Sequence, residues 1–223
     1  GRIALASDWN ITAAVGVVET YSDNANLASD NGDRNSDLIS EIVPSLRIRG
    51  RGGRTSLDLD FSHRQLFFKN TDQDESFQDM DATGQIEIWD RVAFIDGAAS
   101  LSRQVIDAGD ATTNTAAGQV NNRTDVRTFD VSPFFLHHFG TWVETETRYR
   151  YSDVRISRDA AADTRTFNES FRANSGRQFQ RLRWSLAASR LKEIRDTSAP
   201  SVGIITVDND YTYVLDRRLS LLG

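Results

Sequence analysis

The chain contains no cysteine, which removes disulfide scaffolds, thiolate catalysis and zinc ribbons together. Its only lysines are Lys69 and Lys192, so nearly all of the 26 basic residues are arginine. These bases are outnumbered by 32 acids, for a net charge of −6, and no basic cluster stands out as a nucleic-acid footprint. No uninterrupted apolar run is long enough for a membrane-spanning helix, which needs about 20 residues. The hydrophobic fraction of 39% does not argue against membrane strands, because only alternate residues of such a strand meet lipid. No signal peptide is visible and the first residue is Gly1, which reads as a processed mature form or a fragment.

What the chain does have is a beat. Compact turns are expected near Gly50–Gly53, Asp90–Val92, His138–Gly140, Ser175–Gln178 and Asp216–Arg218, spaced by roughly forty residues. Polar loops fall between them, at about Ser22–Asp37, Asn70–Ser76, Asp107–Thr124, Arg155–Asp163 and Lys192–Ile204. Short turns alternating with long loops are the mark of an up-and-down meander, and of outer-membrane barrels in particular.

Period-two alternation supports the strands between these turns. Trp9, Ile11, Ala13, Val15 and Val17 share one face of the first segment. In the third, Leu57, Leu59 and Phe61 alternate with Asp58, Asp60, Ser62 and Arg64. Met80, Ala82, Gly84, Ile86 and Ile88 alternate with Asp79, Asp81, Thr83, Gln85 and Glu87; Ile95, Gly97, Ala99 and Leu101 face away from Asp96, Ser100 and Ser102. The pattern recurs around Phe129–Phe135, then as Val143, Thr145, Thr147 and Tyr149 against Glu144, Glu146, Arg148 and Arg150. It closes with Leu182, Trp184, Leu186 and Ala188 against Arg181, Arg183, Ser185 and Ser189. The second segment (Leu38 to Arg49) and the eighth (Thr164 to Asn174) alternate less cleanly.

The expectation is an all-β chain: about ten long strands, with Leu219–Gly223 beginning an eleventh, forming one antiparallel up-and-down transmembrane β-barrel domain over residues 1–223, incomplete at its C-terminus. Several strands reach roughly 12–14 residues, well beyond the mode of about 5–6 for soluble proteins. The candidate lumen lining is Asp58, Asp60, Arg64, Asp79, Asp81, Glu87, Glu144, Glu146, Arg148, Arg150, Arg181 and Arg183. Trp9, Trp89, Trp142 and Trp184 fall near short turns or the N-terminus, at the height of one interfacial belt. Trp89 and Trp142 have the parity of the charged face, so a bulge or a register change at the turn is expected if they join that belt; otherwise the two rings face inward. Tyr21, Phe67, Tyr149, Tyr151, Phe171, Tyr211 and Tyr213 are assigned to the opposite belt. Pro44 and Pro133 cannot donate to a ladder, and each predicts a bulge or an interruption.

Catalytic and metal constellations are thin. His137 and His138 are adjacent and point to opposite faces of a strand; His63 lies on the apolar parity, opposite Ser62 and Asp60, which defeats a nucleophile–base pairing. The pairs Asp58/Asp60, Asp79/Asp81 and Glu144/Glu146 stand about 7 Å apart at i, i+2. Flanking arginines make these pairs read as lining rather than as glycosidase carboxylates. Asp23, Asn24, Asn26, Asp30, Asn31, Asp33, Asp72, Asp74, Glu75, Asp107 and Asp110 supply oxygen ligands without a calcium-loop spacing. No enzyme, resident metal or cofactor is expected.

Trp9–Ala25 (WNITAAVGVVETYSDNA), Ser36–Phe68, Asn122–Gly140 (NRTDVRTFDVSPFFLHHFG) and Asn174–Arg190 (NSGRQFQRLRWSLAASR) carry a resemblance over nearly the whole chain. They are similar to the outer-membrane β-barrel family associated with bacterial PEP-CTERM/exosortase systems, which accompany exopolysaccharide genes. The resemblance implies an outer-membrane address, membrane lipid and lipopolysaccharide as surroundings, and polysaccharide or other export-system components as partners. Family members are longer, which implies that this chain is an N-terminal portion. It supplies no functional residue. The sequence reading is thus a porin-like or export channel, against the alternative of a soluble cell-surface β-propeller or sandwich that binds a ligand.

Overall fold

A computed structural model describes residues 8–25, 34–70, 74–105, 123–157, 163–196, 200–216 and 219–222. Eleven strands follow one another in space in their order along the chain: β1 (Asp8–Ser22), β2 (Asp37–Arg51), β3 (Thr55–Phe68), β4 (Glu75–Trp89), β5 (Ala93–Val105), β6 (Arg123–Phe139), β7 (Val143–Ile156), β8 (Thr164–Ser175), β9 (Leu182–Arg195), β10 (Val202–Asp216) and β11 (Leu219–Leu222). Each pairs antiparallel with its neighbours. The sheet is open: β1 and β11 are its two edges. The first ten strands hold between 12 and 17 residues. Their ends alternate between tight turns and longer connections, as the turn residues of the sequence imply. Strands run further than their polar composition suggests: β7 extends to Ile156 and β9 to Arg195, inside segments expected to be loop.

Two tight turns use left-handed backbone. In the β4–β5 turn Val92 N–H donates to the Trp89 carbonyl at 2.9 Å, with Arg91 at φ 54°. In the β6–β7 turn Trp142 N–H donates to the Phe139 carbonyl at 3.1 Å, with Gly140 at φ 57°. The expected register change is present in β4, where pairing with β5 shifts between Glu87 and Trp89. Trp142 lies outside the strands; its ring meets Phe179 edge-on, and Phe179 meets Trp184 the same way, with centroids 6.1 and 6.3 Å apart.

The prolines interrupt the ladder without bulging it. Pro44 sits opposite Val15 in β1, while on the β3 side the rungs pass from Ile42–Gln65 to Ser45–Ser62 at constant offset. Pro133 sits opposite Ile95, and on the β7 side the rungs pass from Val131–Tyr151 to Phe134–Arg148. Each proline costs local rungs on one side and leaves the register of both flanking strands intact.

The two faces differ in chemistry over most of their length, although Phe77, Phe94 and Phe134 lie on the polar face and Glu169 stands opposite Arg190 on the other. The polar face is concave: a cavity of about 870 Å³ is lined by Asp8 of β1, Asp58 of β3, Asp96 of β5 and Arg150 of β7 among others. The opposite face is apolar and uncovered, with Ile11 66% exposed, Val15 69% and Ile205 75%. Among the described residues the buried hydrophobic set is small: Ile39, Leu66, Phe77, Ala93, Phe134 and Ala173. Ile39, Leu66 and Phe77, joined by Phe68, cluster at the long-loop end of β2–β4. That corner is tied down by Asn70 N–H donating to the buried Asp37 at 3.0 Å and Asn70 Nδ2 donating to the Ser36 carbonyl at 3.0 Å.

At the other end of the first hairpin, Trp9 stands opposite Gly50 with its ring lying across the glycine, so any Cβ there would overlap the indole. Gly50→Ala is expected to lower stability by about 1–3 kcal/mol through this overpacking. Adding Trp9→Ala should recover part of the loss, because the ring that clashes is gone. A double-mutant cycle in chemical denaturation reads that coupling, and simple additivity would refute it.

Candidate functional site

The concave face carries the charged side chains at alternate positions of successive strands, which places them in cross-strand rows rather than in a single pocket. The first row joins β2 and β3. Arg47 Nε lies 2.6 Å from Asp60 Oδ1, Arg49 Nη2 lies 2.8 Å from Asp60 Oδ2, and the other Arg49 terminal nitrogen pairs with Asp58. Further along the same strands Arg64 reaches Glu41 at 2.8 Å and Asp79 at 3.7 Å. The Arg64 and Arg103 guanidinium groups lie 5.8 and 4.9 Å from the centroid of the buried Phe77 ring. Asp81 stands opposite Asp60 on one side and Ser100 on the other, and no cation pairs with it among the described residues.

A second, better-buried node is built on Arg148 of β7. Its Nη1 lies 2.7 Å from Asp96 Oδ2 in β5 and donates to Ser132 Oγ in β6 at 3.1 Å, while its Nε lies 2.9 Å from Glu146 of its own strand. The guanidinium carbon sits 3.9 Å from the centroid of the Phe134 ring, itself stacked on Phe94 with centroids 5.0 Å apart. Asp96 also accepts from Gln85 of β4 at 2.7 Å. One arginine therefore ties β5, β6 and β7 together across the polar face, and Asp96 extends the network to β4, with an aromatic floor beneath it.

The remaining expected residues divide. Arg150 is exposed, stands opposite Asn168 of β8, and lines the large cavity. Glu87 accepts from the Arg91 amide and so caps the β4–β5 turn. Glu144 is exposed near the β6–β7 turn, with His138 Nε2 4.0 Å away. Arg183 is the second residue of β9, opposite Thr212, and Arg181 precedes the strand in the 176–181 turn rather than lying on its polar face.

Several contributors were missed. Arg47, Arg49 and Glu41 lie on β2 and Arg172 on β8, the two segments whose alternation is least clean. Ser132 and Phe134 flank Pro133, where a ladder defect was expected. The i, i+2 spacing of Arg47 and Arg49, repeated by Asp58 and Asp60 across the turn, was the available signal.

The belts need one correction. Tyr211 and Tyr213 of β10 pair with Trp184 and Leu182, at the short-turn end, and Phe171 lies four residues before the end of β8 that leads to the 176–181 turn. These rings join the tryptophan end, whereas Tyr21 and Phe67 lie at the long-loop end. The β-strand direction decides this, because β8 and β10 both run towards short turns.

Among the described residues no three His, Asp or Glu side chains group to hold a metal ion. Of the loop oxygen ligands, Asn26, Asp30, Asn31, Asp33, Asp72, Asp107 and Asp110 lie outside the described residues. No family model, curated protein or solved structure matches the chain.

The two nodes respond differently to mutation. Arg148→Gln removes the partner of the half-buried Asp96 and Glu146 and should cost about 1–2 kcal/mol, discounted from a fully buried pair because all three groups retain solvent contact. Asp60→Asn acts in an exposed row, so its effect on the unfolding midpoint should be slight and should fade as salt is raised to about 1 M. Equal shifts for both variants in a urea titration at low and high salt would contradict this ranking.

Proposed function

We propose that the chain forms the wall of an outer-membrane β-barrel that acts as a porin-like or export channel, with the apolar face against lipid and the charged face lining the lumen. The observation that carries this reading is surface: the 25.0 kDa chain exposes 15748 Å². A compact soluble monomer of that mass exposes about 10,200 Å². A single-layer sheet with an apolar face open along its length needs a cover, and lipid is the cover that suits a band of Ile, Val, Leu and Phe with aromatic rings near one rim. Strands of 12 or more residues are long enough to cross tilted, since about 9–11 suffice. No helix among the described residues is long and apolar enough to cross a membrane, which is silent about strands.

The lumen works passively in this reading. Paired rows such as Arg47–Asp60 and the Arg148 node stiffen the wall, while Asp81 and Arg150, without an ion-pair partner among the described residues, present charge and hydrogen-bonding capacity to a passing solute. The likeness to the PEP-CTERM/exosortase-associated family supports exopolysaccharide or surface-protein export as the process served. No catalytic step is assigned.

The test is behaviour in detergent and lipid. The unboiled protein should migrate faster than the boiled protein on a gel, and it should raise conductance in planar bilayers. Quenching by lipids brominated near the headgroup should reach Trp9, Trp89, Trp142 and Trp184 more strongly than bromine at the bilayer centre. Solubility in plain buffer with identical migration would end the membrane reading and promote a soluble surface module.

A further inference from the structure

We propose that the β7–β8–β9 part of the concave face is a binding site for a carboxylate-bearing sugar, gripped by Arg150 and Arg172. The site rests on the reading above only in taking the concave face as the one that meets solute.

The argument starts from which arginines are already satisfied. Arg47, Arg49 and Arg64 each hold a carboxylate within their own part of the wall. Arg148 holds two. In doing so it engages Glu146, which is the residue standing opposite Arg172 in the β7–β8 register. Arg172 therefore faces a carboxylate that is taken. Arg150 faces Asn168, which carries no charge. Neither guanidinium has an ion-pair partner among the described residues, and both border the same cavity of about 420 Å³.

The cavity exists because β9 turns small side chains to it. Ala187 stands opposite Arg172, and Ser189 opposite Ser170, so the long arginines of the neighbouring strands rise beside a shallow floor. Arg150 and Glu146 are four residues apart along β7, which puts the two arginine positions about 14 Å apart along the strand direction. That leaves an elongated slot with one of these two cations towards each end. Asn168 stands beside Arg150, Ser170 and Ser189 offer neutral hydrogen-bonding groups between, and the mutually paired Glu146 and Arg148 complete the wall.

This layout selects chemistry. A guanidinium fork matches a planar carboxylate with two parallel hydrogen bonds. The serines and asparagine suit hydroxyls. Asp208 at the edge of the slot repels a bare oxyanion but accepts hydrogen bonds from hydroxyls. A sugar acid carries a planar carboxylate together with several spaced hydroxyls; inorganic phosphate is tetrahedral and too compact to reach both arginines and the serines between them.

The test is a calorimetric titration of the full chain in detergent micelles with trigalacturonate, using maltotriose as the neutral comparator. Trigalacturonate should bind at least tenfold more tightly than maltotriose, and the Arg150→Gln/Arg172→Gln double variant should lose at least tenfold for the acid. Arg54→Gln, on an exposed turn remote from the slot, should leave binding unchanged. Arg150→Lys/Arg172→Lys keeps the charge and removes the fork. It should migrate like the parent on an unboiled gel and still bind several-fold more weakly, which separates lost recognition from lost folding. No binding of the acid, equal binding of maltotriose, or full affinity in both double variants would overturn the proposal. Binding with a silent bilayer would keep the site and remove the channel; conductance without acid binding would do the reverse.

Discussion

Every strand of this sheet is held edge to edge by its backbone ladder and by almost nothing stacked above or below it. Among the described residues the buried hydrophobic ones amount to one corner cluster and three further side chains, Ala93, Phe134 and Ala173. Burial of apolar surface in a shared core, which drives most folding, is therefore small within the chain itself. The ladder has to run uninterrupted for ten strands, and where Pro44 and Pro133 remove a donor the register survives because the opposite neighbour still pairs. Cross-strand contacts then decide the rest. On the concave side they are mostly ionic, resting on the Phe77 and Phe134 rings; on the other side they are mostly apolar and uncovered.

The charged rows are graded by burial. Around Asp60 the pairing groups keep much of their solvent exposure, and their attraction is weakened by water and salt. Around Arg148 the same chemistry rests on the Phe134 ring and is drawn out of solvent on both flanks, which strengthens each hydrogen bond and raises the penalty for losing a partner. The wall is thus stiffened at β5–β7, the middle of the sheet. Further along, at β8 and β9, the arginines outnumber the carboxylates free to receive them.

The strand content was legible because period two is hard to imitate. Where alternation was clean, as in Leu57, Leu59 and Phe61 against Asp58 and Asp60, both strand and face followed directly. Segments carrying Pro44 or mixed polarity, β2 and β8, hid their inward residues, and with them Arg47, Arg49 and Arg172. Ion pairs between residues 52 positions apart, such as Asp96 and Arg148, depend on the stagger between three strands, which no single strand encodes. The belt assignment of Tyr211 and Tyr213 failed for a simpler reason: height along a strand depends on which end meets the short turn, and that must be counted strand by strand.

The linear order β1 to β11 has a directional consequence. In a strictly antiparallel meander, odd-numbered strands point one way and even-numbered strands the other, so β1 and β11 are parallel to each other. They cannot zip together in the pattern used everywhere else in the sheet. A seam that preserves that pattern takes an odd number of intervening strands, whichever polypeptide supplies them. Such a seam would meet, in β1, a stretch from Trp9 to Val18 with no charge and no proline along its open hydrogen-bonding edge.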